Sequence, residues 1–472
     1  MLCYDFSKKG NSPIYEYIYR CIRDDILSGR LKAGDRLPSK REMSSDNGIA
    51  VITVENAYAQ LLIEGYIESK PRKGYFVATD NILTKPEDTS RNDSQIVPVT
   101  GEKTDREIIY DFTSGGLIYD SFPYSTWTKL IRKVLNDAES DFGTAPPASG
   151  VPELKNSIAE YLLNSKNLKI SPDNIIVGPG TEYLHSVIIQ LLGHNRLVAV
   201  EDPGYRAAGL IYENNGMKVL RIPVGSDGID IDRLSVSGAT LVHTSPSHHF
   251  PTGAVMSAGA RQNLIKWAHN TDAYVIEDDY DTEFRFKGKP IPALMSLDRD
   301  RVIYMNTFSG TIAPSIRMAY MVLPDRLNEV YNKRLSFLSG TVSTFDQLAM
   351  AQFISLGYYE RHIGRMRNRY RILRKMYKEV LAVSDLAKHA FIEDDQAGLR
   401  LILNFTKGDP ADDERYLSWL KNHGIKISAM NNYCYKHKPE FENRFVLRYA
   451  DMTAEELKQV FDIMAKGREI NT

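Results

Sequence analysis

Residues 307–317 (TFSGTIAPSIR) set three hydroxyl side chains, Thr307, Ser309 and Thr311, around Gly310 and follow them with Arg317. Hydroxyls donate hydrogen bonds to phosphate oxygens, and a guanidinium adds a planar fork of charge, so the stretch suits a phosphate group. Gly180 and Thr181, in GPGTEYLH, supply a second anion cradle where a strand hands over to the N-terminus of a helix. Tyr205, in EDPGYR, offers an aromatic face on which a flat ring can stack, although a lone tyrosine reads equally well as a half-buried core residue. His248 and His249, in SPSHHFPTG, have no third ligand at metal spacing and read as hydrogen-bonded structural residues. Asp278 and Tyr280, in VIEDDYDTEF, leave a strand end two residues apart, in an acidic run also compatible with a solvated surface. A phosphate cup, a stacking ring, a carboxylate for a protonated ring nitrogen and a phenol for a ring oxygen are together what pyridoxal phosphate requires.

Such residues need a scaffold, and residues 108–472 alternate short apolar runs (NIIVG, RLVAVEDP, ATLVHTSP, AYVIEDDY, RVIYMNTFS) with amphipathic helical stretches. Near-continuous apolar strands separated by helices indicate an α/β unit with a mostly parallel sheet covered on both faces. The polar motifs then fall beyond the carboxyl ends of the strands, where such sheets bind ligands. The 472 residues, 43% of them apolar, allow more than one core, and a net charge of −1 excludes a global field for nucleic acid or membrane. Three scattered cysteines make no disulfide framework or metal site, and no apolar run approaches the ~20 residues of a membrane span. The expected location is the cytoplasm.

Residues 80–107 are rich in Asp, Ser, Thr, Lys and Pro without periodicity and read as a flexible linker. Before it, residues 1–79 spell three helices and a hairpin. Ile14, Ile18, Cys21, Ile22 and Ile26 share one helical face, and Ser39 with Glu42 forms a capping box. Val54, Ala57, Tyr58, Leu61 and Leu62 mark a third helix, and a hairpin tip carries Lys70, Arg72 and Lys73. This is a winged helix-turn-helix (α+β). Ser39, Lys40 and Arg41 sit at a helix N-terminus suited to phosphate, and Thr53 and Asn56 are polar positions on the exposed face of the third helix. With 12 Lys+Arg against 10 Asp+Glu, charge alone would leave a small helical domain with a solvated basic face.

The pattern from Gly29 to Arg41 (G-x-L-x-x-G-x-x-L-P-S-x-R), with T-V-x-x-A-Y and L-x-x-E-G-Y, resembles the GntR family of bacterial transcription regulators. Within it, DPGY, PSHxFPTG, EDDYDxEFR and TFSxxxAPxxRxxY over residues 108–472 resemble the MocR subgroup, in which a winged helix precedes a fold-type I aminotransferase-like domain. The resemblance implies that Asp278 pairs with the pyridine nitrogen, Tyr280 meets the ring hydroxyl and Tyr205 stacks on the ring. It implies that Gly180, Thr181, Thr307, Ser309 and Arg317 hold the phosphate, with His248 among the cofactor residues. Three departures stand out. Ala50-Val51 replaces the family's Ser-Arg at the start of the recognition helix, Glu182 replaces a usual glutamine, and Gly310 occupies the place of the Schiff-base lysine, where glycine can neither bind an aldehyde nor carry a proton. Lys287 and Lys289 lie on a different loop. Val446 stands where catalytic relatives carry an arginine, leaving Arg444 and Arg448, on the same strand face by alternation, for an effector carboxylate.

The expectation is therefore a regulator, not an enzyme, that binds double-stranded operator DNA as a head-to-tail homodimer and does not engage a membrane. Its effector is pyridoxal phosphate, held non-covalently or as an external aldimine with an amino acid. The alternatives are a working aminotransferase and a cofactor-free regulator that uses the fold to dimerise.

Overall fold

Proline before an isoleucine-periodic run starts the first helix, and the computed structural model places Pro13 at its N-cap. It describes residues 2–6, 9–10, 12–78, 108–113, 121–137, 143, 145–286, 291–393, 397–406 and 413–471. The expected linker 80–107, and Lys287 and Lys289, lie outside them. The chain divides into two units, Met1–Lys103 and Thr104–Thr472.

In the first unit α1 (Ile14–Leu27) buries Ile18, Ile22 and Ile26, while Ile14 stays exposed in the first turn. The capping box opens α2 (Lys40–Asn47): Ser39 Oγ accepts from the Glu42 N–H at 3.2 Å, and the Glu42 carboxylate accepts from the Ser39 N–H at 2.7 Å. Gly48 (φ 65°) ends the helix in the left-handed conformation glycine tolerates. α3 (Val51–Ile63) turns Val54, Ala57, Tyr58 and Leu61 onto the core and leaves Ile52, Glu55, Asn56 and Ala59 outside. β1 (Ile67–Lys70) and β2 (Gly74–Val77) form an antiparallel hairpin, with Arg72 (φ 61°) in its turn. Leu37, Met43, Ile67 and Val77 close one core beneath the three helices. The fold is a winged helix-turn-helix.

The second unit opens with β3 (Tyr110–Asp111), which pairs with a short strand at residues 425–426, and is built on an eight-stranded sheet. Its strands are β4 (Ile175–Gly178), β5 (Leu197–Asp202), β6 (Lys218–Gly225), β7 (Gly228–Ile229), β8 (Leu241–Thr244), β9 (Tyr274–Asp278), β10 (Val302–Thr307) and β11 (Ala319–Val322), in the order 4-11-10-9-8-5-6-7. The run from β10 through β9, β8 and β5 to β6 is parallel, and β11 is antiparallel to both neighbours. Alternate residues feed two cores. Val177, Ala199, Val242, Val275 and Tyr304 pack on one face, while Ile176, Val198, Leu241, Ile276 and Met305 pack on the other. Covering both faces is what makes these strands apolar throughout, as their sequences require. A second sheet of four antiparallel strands puts Arg400 directly opposite Arg448.

Candidate cofactor and DNA sites

Because β4, β5, β8, β9 and β10 run the same way, the loops that follow them leave one edge of the sheet, and every expected cofactor residue before Arg317 lies on one of those loops or, as with Asp278 and Thr307, ends the strand before it. Arg317 follows in the connection to β11. The pleat divides the acidic run. Asp278 continues the face of Tyr274 and Ile276, whereas Glu277 and Asp279 continue the face of Val275. The run is not solvated. Glu277, Asp278, Asp279, Asp281 and Glu283 are all buried, and Lys166 reaches Asp279 at 2.8 Å from the opposite face to Asp278.

Asp278 Oδ2 lies 3.5 Å from His243 Nε2, and His243 Nδ1 lies 3.3 Å from both His185 Nε2 and the Tyr212 hydroxyl. Burial, aided by His243, pushes His185 down to about 3, so it is neutral at physiological pH. The other Asp278 oxygen, Oδ1, is buried and makes no hydrogen bond among the described residues. Ser309 Oγ, on the turn after β10, is likewise buried and unpartnered. Arg400 grips Tyr280, its guanidinium donating to the phenol oxygen at 2.5 Å and to the His249 carbonyl at 2.7 Å. Burial raises the Tyr280 phenol well above its ordinary range, with Arg400 opposing, so the phenol keeps its proton and can donate it. His248 is engaged elsewhere, its Nδ1 2.8 Å from Asp281.

Gly180 (φ 149°) caps the helix Thr181–Leu192, and a Cβ there would lie 2.6 Å from the Arg317 guanidinium and 2.7 Å from the Glu182 carboxylate. Conformation is what favours glycine here, since the side-chain ends a Cβ would meet are half exposed and free to move. Arg317 donates to Glu182 at 3.1 Å, with both side chains about half exposed. Thr307 Oγ1 accepts from the Ser309 N–H at 3.2 Å, which fixes the turn. Tyr205 is 45% exposed. Burial raises its phenol, Glu182 and Asp278 raise it further, and Arg317 and Arg448 oppose. Arg448 acts on Tyr280 as well. Arg444, at the far end of the same strand, instead pairs with Glu393 at 2.5 Å and lines a cavity of about 730 Å³ with Thr252, Arg285 and Phe441. Gly310 is half-buried, and a Cβ there would meet one atom group, the Tyr280 carbonyl at 3.3 Å.

Glu201, near the end of β5 with its side chain 8% exposed, accepts from the Thr244 hydroxyl at 2.5 Å and from the Ser245 N–H. Burial lifts its carboxyl from 4.5 to about 8. The folded state therefore binds this proton more tightly than the unfolded chain, and stability falls as pH rises from about 4.5 to about 8. Glu201→Gln should remove that part of the slope, raising stability relative to the parent above pH 8 by about 2–4 kcal/mol. Melting curves at stepped pH would show it, and parallel curves for the two proteins would contradict it.

On the first unit, Ser39 is committed to its cap, Lys40 pairs with Glu55 at 2.7 Å and Lys70 with Glu68 at 2.9 Å. Arg41, Asn56, Arg72 and Lys73 are exposed, and Thr53 is half-buried.

Residues 108–463 match the aminotransferase class I and II family, and residues 14–77 match the gntR family of bacterial regulatory proteins. The chain is 32% identical over 461 residues to the probable rhizopine catabolism regulatory protein MocR of Rhizobium meliloti, covering 95% of this chain and 92% of that one. This chain is a MocR-type regulator of the GntR family. It is also 36% identical to YdeL, an uncharacterized HTH-type transcriptional regulator of Bacillus subtilis, over 90% of this chain and 91% of the relative. At 28% identity it resembles the pyridoxine biosynthesis regulator PdxR of Corynebacterium glutamicum, over 87% of each chain. An archaeal alanine:glyoxylate aminotransferase structure covers 77% of this regulator at a TM-score of 0.68 and 21% identity, covering 91% of that chain, which supports the fold alone. No helix of the described residues is long and apolar enough to cross a membrane.

His243, His185, Tyr212, Arg400, Lys166 and Glu201 were missed by sequence reasoning. The usable signals were a histidine inside the apolar run TLVHTSP and an arginine opening RLILNF.

Proposed function

We propose that this MocR-type regulator binds pyridoxal phosphate, alone or already joined to an amino acid, as an effector that alters its affinity for operator DNA. The observation that carries the proposal is the pair of buried, unpartnered oxygens, Asp278 Oδ1 and Ser309 Oγ, on adjacent strand ends. A buried carboxylate oxygen without a donor is costly, and a protonated ring nitrogen supplies that donor. Asp278 would hold the nitrogen, Tyr280 the ring hydroxyl, and Tyr205 the ring face. Gly180, Thr181, Thr307, Ser309 and Arg317 would hold the phosphate, and Arg448 the carboxylate of an attached amino acid.

The cofactor's chemistry is to withdraw electrons from a bonded amino acid, and it needs a lysine to join the aldehyde and carry the proton. Gly310 stands in that lysine's place in this reading, so the site binds without turnover. His248 then acts through Asp281, on the loop that follows Tyr280. Two copies in a head-to-tail dimer would present two winged helices to symmetry-related half-sites, and the effector would act by favouring one dimer arrangement.

Titration of the purified protein with pyridoxal phosphate, with and without mixed amino acids, tests the reading through melting temperature and absorbance. Stabilisation without a borohydride-trapped adduct is expected. A melting curve unmoved by either addition would leave the fold as a cofactor-free dimerisation scaffold, a reading favoured by the Glu182–Arg317 contact. On the DNA side, Arg41→Ala should weaken binding roughly evenly across sequences and lower the salt slope by about one. Gel shifts at stepped salt would reveal an unchanged slope, and with it an Arg41 that touches no phosphate.

A further inference from the structure

In the first turn of α3 the side chains that face away from the core are hydrocarbon. Val51 is 42% and Ile52 60% exposed, Ala50 caps the helix without a side-chain hydrogen bond, and half-buried Thr53 is the turn's one polar side chain. Ile52 begins the outer stripe of the helix, followed by Glu55 and Asn56 one turn on and Ala59 a further turn on. Lys40 holds Glu55 at 2.7 Å, so this carboxylate is neutralised. Exposed Arg41, Arg72 and Lys73 belong to the same unit, so it carries basic side chains as well as the apolar turn. That combination fits a polyanion that also displays hydrocarbon.

The major groove of DNA displays one hydrocarbon group, the 5-methyl of thymine. Guanine is read by bidentate arginine or lysine, and the first turn of α3 contains neither. Asn56, one turn further, has the two-sided amide that matches adenine. We propose that Val51 and Ile52 read thymine methyl groups, so that each operator half-site carries A·T pairs beneath the first turn of α3. This deepens the DNA-binding role of the winged helix and rests on it.

The test uses the full-length protein and a randomised duplex pool. Selection should enrich a half-site with thymine at one or two fixed positions. Resynthesis with deoxyuridine at those positions removes the methyl and leaves every hydrogen-bonding group in place. Affinity should fall about three- to ten-fold for each methyl. The double variant Val51→Ala/Ile52→Ala, with both changes at exposed positions, should bind the thymine and uracil duplexes alike. Equal affinity of the parent protein for both duplexes would overturn the inference while leaving DNA binding intact, as would selection of guanine or cytosine at these positions. Enrichment of no sequence at all would defeat the DNA reading and this inference with it.

Discussion

Gly310→Lys should convert a protein that releases pyridoxal phosphate on denaturation into one that retains it covalently after borohydride reduction, near one equivalent per chain, with the adduct mapped to residue 310. The parent should give no adduct at that position. The geometry allows the side chain. Gly310 does not adopt the left-handed conformation that excludes other residues, and its would-be Cβ meets only the Tyr280 carbonyl, at 3.3 Å, so a shift of a few tenths of an ångström suffices. That carbonyl lies two residues beyond Asp278, which keeps position 310 against the segment that would hold the ring. If Gly310→Lys melts normally, binds the cofactor and still yields no adduct at residue 310, this position is not where the aldehyde lies, and the assignment of the phosphate turn fails with it.

The second large effect turns on one ion pair and has two signs. Arg317→Ala should weaken pyridoxal phosphate binding by roughly 30- to 300-fold, since it removes charge-assisted hydrogen bonds worth about 1.5–3 kcal/mol each. Glu182→Gln should act the other way. Both partners of the Arg317–Glu182 contact are about half exposed, and such pairs contribute about 0–1 kcal/mol, so a phosphate can displace the carboxylate easily. The displaced carboxylate still repels a dianion at close range, by about 1–2 kcal/mol in a wet site. Binding to Glu182→Gln should therefore tighten about ten-fold, and more weakly at high salt. Isothermal titration of the two variants decides the matter. Loss of affinity in both, or in neither, would mean that Arg317 does not face the phosphate.

The local rules in the sequence were reliable where the signal is local. The Ser39–Glu42 box and the buried stripe of α3 depend on residues within one or two turns of each other, and they stand as read. Alternating apolar runs located the strands of the parallel sheet, and hence the edge on which the polar motifs meet. The acidic run 277–283 was ambiguous because burial of a carboxylate depends on the strand beside it and the helix above it. Lys166 is 113 residues from the Asp279 it neutralises in sequence number, and Arg400 is 120 residues from the Tyr280 it grips. No periodicity links such partners. Arg444 and Arg448 illustrate the same limit. Alternation put both on one face, but only the position along the strand separates the arginine held by Glu393 from the one whose charge lowers the Tyr205 and Tyr280 phenols. The linker 80–107 and the loop carrying Lys287 and Lys289 lie outside the described residues.

The sparse surroundings of Gly310 have a consequence for ancestry. Asp278 is buried and half-buried Tyr280 is bound into the Arg400 contacts, so replacing either disturbs neighbours that themselves need partners. Residue 310 sits in a turn and touches almost nothing. On the proposed reading, lysine and glycine can be exchanged there with a shift of only a few tenths of an ångström, so the reactive amine can be discarded while the rest of the site stays in place. A lineage could abandon turnover in one step while retaining its grip on the ligand, and from that moment natural selection would act on occupancy, not on product.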